Sequence, residues 1–309
     1  MCTVQVNSVY RTDMSASPRP TSASDPVLVT GATGTVGREA VRLLLEAGAT
    51  VRAAARSRSA VVDAFGDAVD AVALDFTDPG TWDAAFTGVR RMFLLRPPAL
   101  GRPKTQMLPS LERARALGVE HVVLLSLQGA ERNPVVPHAT LERWLRRSGL
   151  TWTFVRASFF MQNLTTTHVA DIRDRSEIVL PAGSGATAFV DAHDVSAVAV
   201  AALLDPSAHR DLAWTPTGPQ ALTYAEVAAS LSVVLGRDVT YRPAGMLSYA
   251  RHARTVLGMP IGMVLVTTVI YTAARLDKAG GLTGDVATVL GRPPASFDAF
   301  ALRERQTWT

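Results

Sequence analysis

The stretch LVTGATGTVGREA, residues 28–40, constrains the fold more than any other part of the chain, because an apolar run ends in three glycines spaced three apart and passes into an amphipathic pattern. A strand that delivers Thr30 into Gly31, Ala32, Thr33, Gly34, Thr35, Val36 and Gly37, with a helix beyond, aims backbone N–H groups and the positive helix end at one point. Gly31 permits the tight turn, Gly34 admits a ligand close to the backbone, and Gly37 lets the helix lie on the strand. The anion that such a turn accommodates is a diphosphate. A glycine-rich turn alone is a weak sign; here strand, turn and helix come in the required order.

Beyond this unit, apolar runs of strand length alternate with helical patterns. The runs are VLVT at 27, TVRAAA at 50, AVAL at 71, RMFLL at 91, HVVLLS at 121 and TWTFVR at 151. This predicts an α/β fold with a doubly wound parallel Rossmann sheet and a smaller, partly helical substrate-binding region. Val36, Ala40, Val41, Leu44 and Leu45 form one face of the first helix, which Gly48 stops. Helices are expected around 58–66, 79–87, 104–117 and 138–148. A strand at about 187–190 and a helix from Asp194 to Leu204 are expected to return to the sheet. The nucleotide domain therefore comprises 26–156 plus about 187–215, and the substrate region 157–186 plus 216–309.

The 309 residues, 48% hydrophobic, suffice for a sizeable core. The net charge of +4 comes from scattered side chains without a basic block or interleaved aromatics, so nucleic acid is not an expected partner. Cys2 is the sole cysteine, which excludes an internal disulfide or a thiolate cluster and fits a reducing cytoplasm. No cluster of His, Asp and Glu has metal-ligand spacing, and His193-Asp194 reads as a helix cap. Residues 1–25 are rich in Ser, Thr and Pro and read as a disordered leader, with Met14 an alternative start. The uncharged segment 255–274 is broken by Gly258, Pro260 and Gly262, so a buried helix suits it better than a membrane span.

An NAD-binding unit places an acid at the end of the second strand for the ribose 2′-hydroxyl. This chain has no acidic residue between Glu46 and Asp63 and instead offers Arg56, Ser57 and Arg58, two guanidinium groups and a hydroxyl that suit the 2′-phosphate of NADP(H). Asp75 and Phe76, after the third strand, flank the expected adenine position, although Asp75 also serves as a turn cap. Leu95 and Arg96, after the fourth strand, complete the expected cofactor edge.

The GATGTVG turn, Arg56, HATLERWLRRSGLTWTFVRASFFMQN at 138–163, FVDAHDVSAVAVAAL at 189 and LTYAEVAASLSVVLGR at 222 resemble the NmrA-like group of atypical short-chain dehydrogenases. That group includes NADP-binding regulators and reductases of quinones and triphenylmethane dyes. Against the Ser and Tyr-x-x-x-Lys of ordinary short-chain dehydrogenases, the resemblance matches Ser126 and places Pro134 at the Tyr position and His138 at the Lys position. With an ordinary pKa near neutrality, His138 is a candidate acid or a ribose-binding group. Ser158 and Phe159 are implied to meet the nicotinamide. Phe160, Met259 and Met263 would build an apolar substrate wall, with Gln128 or Asn163 orienting the substrate.

The expected activity is NADPH-dependent reduction of a quinone or an aromatic carbonyl compound, including one of polyketide type, by a monomer or homodimer that does not enter a membrane. Ser126, water or the substrate's own hydroxyls would hold the developing oxyanion. Two rival readings come from other classes: a non-catalytic NADP(H)-sensing regulator, which the missing Tyr and Lys favour, and a nucleotide-retaining epimerase or dehydratase.

Overall fold

A computed structural model describes residues 25–309. The leader assignment, Cys2 and Met14 lie outside them, except Asp25, which pairs with Arg90 at 3.0 Å. The first half alternates strand and helix, with two helices between the fourth and fifth strands: β1 (Val27–Thr30), α1 (Thr35–Glu46), β2 (Val51–Ala55), α2 (Arg58–Phe65), β3 (Asp70–Ala73), α3 (Trp82–Phe86), β4 (Arg91–Leu94), α4 (Pro103–Gln106), α5 (Leu108–Ala116), β5 (His121–Leu127), α6 (Pro137–Leu145) and β6 (Thr151–Ala157). These six strands are parallel, and all four residues of β1 are buried, as expected for a strand covered on both faces.

The second half carries β7 (Phe159–Phe160), α7 (Val169–Arg175), β8 (Glu177–Leu180), β9 (Ala186–Val190), α8 (Ala192–Leu204), β10 (Leu212–Trp214), β11 (Ala221–Thr223), α9 (Tyr224–Leu235), β12 (Thr240–Pro243), α10 (Met246–Thr255), α11 (Ile261–Arg275), α12 (Asp285–Leu290) and α13 (Phe297–Arg303). The large sheet runs β10-β6-β5-β4-β1-β2-β3. The chain leaves β1 toward β2 and β3, then crosses back to β4. The crevice beyond β1 and β4 is thus a topological switch point, where open α/β sheets bind ligands.

The strand expected at 187–190 forms, but it does not return to the large sheet. It is β9, central to a separate β11-β9-β7 sheet, and its backbone is further occupied by Gly218 N–H on Phe189 O at 2.7 Å and by its own Ala188 N–H on Ala279 O at 2.8 Å. The strand that extends the large sheet is β10, beside β6. The helix after β9 does pack on the nucleotide unit: Val195, Val198, Ala199 and Ala202 of α8 share a core with Val36, Ala40 and Leu44 of α1.

A second core lies under α3, α5 and α6. A third gathers Phe189, Tyr224, Tyr249, Tyr271, Phe297, Phe300 and Trp308 in a smaller lobe. The uncharged segment 255–274 is not buried all round, contrary to expectation. Helix α11 buries Val264, Tyr271 and Ala274 against the lobe, while Ile261, Leu265 and Val269 are 62%, 63% and 70% exposed. Lack of charge allowed burial on every side, but α11 lies over the lobe and buries only one face. Among the described residues no helix is long and apolar enough to cross a membrane.

Candidate functional site

The glycine turn is built by close backbone contact. Gly31 has φ +60°, a left-handed conformation that favours glycine, and Gly34 N–H closes on its carbonyl at 3.0 Å. A Cβ on Gly37 would lie 2.2 Å from Gly31 O, which holds α1 directly on the turn. Gly34, in extended conformation, caps α1 without a side-chain bond, so the first N–H groups of the helix remain available to an anion. Thr30 fixes the crevice between β1 and β4: its hydroxyl donates to Phe93 O at 3.1 Å and accepts from Leu95 N–H at 2.9 Å.

A cleft of ≈ 550 Å³ opens at this switch point, lined by Gly31, Thr33, Gly34, Arg56, Asp75, Phe76, Leu95, Arg96 and the Pro97–Leu100 loop, among others. The Thr77 hydroxyl and N–H, with the Arg56 charge nearby, hold the Asp75 carboxyl below the usual carboxylate range. Asp75 is therefore a turn-forming group within the cleft. Arg56 is exposed on the cleft wall with no carboxylate paired to it among the described residues. Its two sequence neighbours are committed elsewhere. Ser57 accepts from Ala60 N–H as the cap of α2, and Arg58 Nε donates to Ala71 O at 3.0 Å, so neither lines the cleft. Of the three residues assigned to the 2′-phosphate, Arg56 alone borders the cleft, because α2 begins at Arg58 with Ser57 as its cap.

A second cavity of ≈ 220 Å³ shares Gly34 and Leu95 with the first and adds Thr35, Val36, Phe160, Gln162, Asn163, Thr166 and Ala192. Phe160 and Asn163, two of the residues assigned to a substrate, line this cavity, while Phe159 packs edge-on to Phe189 at 5.5 Å in the smaller core. Gln162 and Ala192 escaped the sequence reading. Gln162 Nε2 donates to the buried Asp191 at 2.7 Å and its Oε1 accepts from Ala192 N–H at 2.9 Å, which ties the cavity wall to the start of α8. The local signal was Asp191 standing directly before a helix.

Four expected site residues are placed differently. Ser126 pairs in register with Arg156, so both face α6, and its hydroxyl donates to Glu142 at 2.7 Å. Arg156 closes on the same carboxylate at 3.0 and 2.7 Å; the Glu142 side chain is 2% exposed. Ser126 has one proton, and Glu142 takes it, so it is not an oxyanion donor. Met259 lies in the core of the smaller lobe and Met263 on the open side of α11; neither lines a cavity of the cleft. Gln128 gives its amide to Gly281 O at 2.8 Å, joining the two lobes across the chain. Ser158, by contrast, has a buried hydroxyl with no protein partner among the described residues.

His138 stands at the head of α6, where Arg96 Nε approaches its Nε2 at 3.4 Å. Burial, aided by the Arg96 charge, pushes its pKa down to about 4, which corrects the expectation of a titration near neutrality. His121 and His168 are pushed to about 4 as well, chiefly by burial. An unfolded histidine takes its proton near pH 6.5, so the unfolded chain binds more protons between about 6.5 and 4. Stability is then complete above about pH 6.5 and is withdrawn as pH falls, by about 1.4 kcal/mol per unit for each such ring. Urea midpoints should drop between pH 7 and pH 5, less so in His168→Gln; a flat profile would show that these rings are not buried neutral.

The sheet order, the switch-point cleft and the glycine turn define a doubly wound protein of the Rossmann type. The chain belongs to the NmrA-like family, whose profile matches residues 23–274. It is 38% identical over 283 residues to an NAD(P)H azoreductase of Xenophilus azovorans, a match that covers 89% of this chain and 96% of the relative. It is 35% identical over 279 residues to the (4-alkanoyl-5-oxo-2,5-dihydrofuran-3-yl)methyl phosphate reductase of Streptomyces griseus, with 88% and 95% covered. The crystal structure of an NADPH-dependent quinone oxidoreductase of Escherichia coli superposes with a TM-score of 0.81 at 21% identity, over 91% of this chain and 99% of that one, a likeness of fold.

Proposed function

We propose that this chain is an NADPH-dependent oxidoreductase that reduces a quinone or another aromatic carbonyl or dye-like compound. The observation that carries the reading is Arg56 on the wall of the switch-point cleft, at the end of β2 where an NAD enzyme needs a carboxylate. The residues fit the dinucleotide: the turn closes on itself through backbone contacts, and the N–H groups at the start of α1 remain unfilled. Support for reductase chemistry comes from the azoreductase and the furanone phosphate reductase to which the chain is similar over nearly its whole length.

Bound NADPH supplies a hydride from its nicotinamide ring. The chain's part is to hold that ring and a flat substrate against each other and to exclude water. Thr33, Gly34 and Thr35 hold the diphosphate, Arg56 the 2′-phosphate, and Phe160 with Asn163 borders the second cavity, where a substrate is received. With Ser126 committed to Glu142 and proline at position 134, no phenol stands at the position where the resemblance would place one. A quinone suits such a site, since its reduced oxygen is stable as an aryl oxide and takes its proton from solvent.

The test is NADPH oxidation measured with quinones, azo dyes and aromatic ketones, together with an Arg56→Asp variant. A charge-assisted hydrogen bond contributes about 1.5–3 kcal/mol. The substitution should therefore weaken NADPH by about 10- to 100-fold and leave NADH nearly unaffected. An unchanged ratio of the two dissociation constants would remove Arg56 from the site.

A further inference from the structure

The Arg96 guanidinium is a partly buried cation at the cleft with no carboxylate in salt-bridge reach among the described residues, and burial lowers its pKa from the ordinary arginine range. Its Nη1 donates to Pro97 O at 3.0 Å, Pro98 O at 3.3 Å and Leu100 O at 3.0 Å, so three backbone carbonyls anchor the fork. Anchored there, Nε points at Nε2 of His138, 3.4 Å away. A guanidinium N–H can only donate, so Nε2 must present its lone pair and the ring proton of the neutral imidazole sits on Nδ1. That Nδ1 is buried and has no protein partner among the described residues. Buried donors in folded chains are almost always satisfied, so this one calls for an acceptor from outside the chain, a ligand oxygen or an ordered water.

We propose that Arg96 is a positioning residue that fixes His138 as a neutral imidazole with its proton on Nδ1, a hydrogen-bond donor held for an oxygen of the bound dinucleotide or of the substrate. The inference rests on the cleft being the ligand site described above. It replaces the picture of His138 as a proton-releasing acid with one in which the ring orients or polarises an oxygen and keeps its own proton. Other charged or titratable groups on the elements packed around α6 are Lys104 on α4, His121 on β5 and Arg156 on β6, with Glu142 and Arg143 on α6 itself. Glu142 is held by Ser126 and Arg156, and Arg96 is the one charge that acts on the ring.

The experiment is nitrogen NMR of the full chain labelled at histidine, with the His138 signals assigned by their absence in H138Q. At pH 7 the unliganded protein should show His138 protonated on Nδ1, with no titration above pH 5. In R96M the ring should populate both tautomers and titrate higher than in the parent, while burial still holds it below the ordinary value of about 6.5. In R96K, which keeps the charge and loses the anchored fork, the tautomers should mix while titration stays low. A shift of the Nδ1 signal on adding NADP⁺ alone assigns the acceptor to the dinucleotide; a shift seen only when a quinone is added as well assigns it to the substrate. A ring protonated on Nε2, wild-type behaviour in both Arg96 variants, or no shift with either ligand overturns the proposal. The tautomer is read without turnover, so a chain that reduces no quinone yet holds the Nδ1 proton refutes the functional reading and leaves this one standing.

Discussion

Gly37→Ala is expected to cost both stability and dinucleotide binding, whereas Gly34→Ala should cost little stability. A Cβ on Gly37 would meet Gly31 O at 2.2 Å, Gly31 C at 2.8 Å and Ala32 Cα at 3.0 Å, all of them backbone atoms that no rotamer change can move. Either α1 lifts from the turn or the turn opens. Overpacking of this kind costs about 1–3 kcal/mol. The same displacement carries the N–H groups away from the diphosphate, so NADPH affinity should fall by about 5- to 150-fold. At Gly34 the nearest atom is Gly31 O at 3.4 Å, an ordinary contact, and a methyl group there obstructs only the ligand. Thermal melting and NADPH titration of the two variants separate the effects. If Gly37→Ala melts and binds as the parent does, the close approach of helix and turn is not what shapes the site.

Glu142→Ala should be the most destabilising single change in the nucleotide unit. The carboxylate accepts from Ser126 Oγ and from two nitrogens of Arg156, and its removal leaves a guanidinium whose side chain is 11% exposed with only Glu131, at 3.3 Å, as an anionic partner. Breaking a buried pair by removing one member costs about 3–5 kcal/mol, because the surviving charge stays desolvated. Ser126→Ala should cost about 1 kcal/mol, the ordinary worth of one hydrogen bond. Turnover per folded molecule should survive Ser126→Ala, since the hydroxyl serves Glu142. A Ser126→Ala protein that keeps its urea midpoint and loses turnover by 100-fold or more would return Ser126 to the reacting atoms.

These expectations depend unevenly on what could be read along the chain. Local features were legible. The spacing of Gly31, Gly34 and Gly37 between a strand and a helix specifies a phosphate turn because every atom involved lies within seven residues. The position of Arg56 was legible for the same reason: it follows β2 directly, and the absence of an acid between Glu46 and Asp63 needs no tertiary information, while its role toward the 2′-phosphate is what Arg56→Asp tests. Ser57 and Arg58, one and two positions further on, do not line the cleft, because α2 begins there and a cap requirement takes over the serine.

Residues whose role depends on distant partners were not legible. Gln128 and Gly281 are 153 positions apart, and no local pattern announces that an amide after β5 will be given to a carbonyl of the other lobe. Met259 reads as a pocket residue as easily as a core residue, because burial depends on where α10 and α11 come to rest. The same limit applied to β9: its apolar run showed that a strand forms, while its partners, β7 and β11, were decided by the packing of the smaller lobe.

The sequence by itself determined the doubly wound sheet, the phosphate turn and Arg56 at the end of β2, because hydrophobic periodicity and backbone freedom act over a few residues. Only the tertiary structure decided that Ser126 turns to Glu142 and that His138 is neutral against Arg96. Side-chain direction and desolvation follow from the register of β5 on β6 and from the burial of α6, and these exist only once the chain has folded.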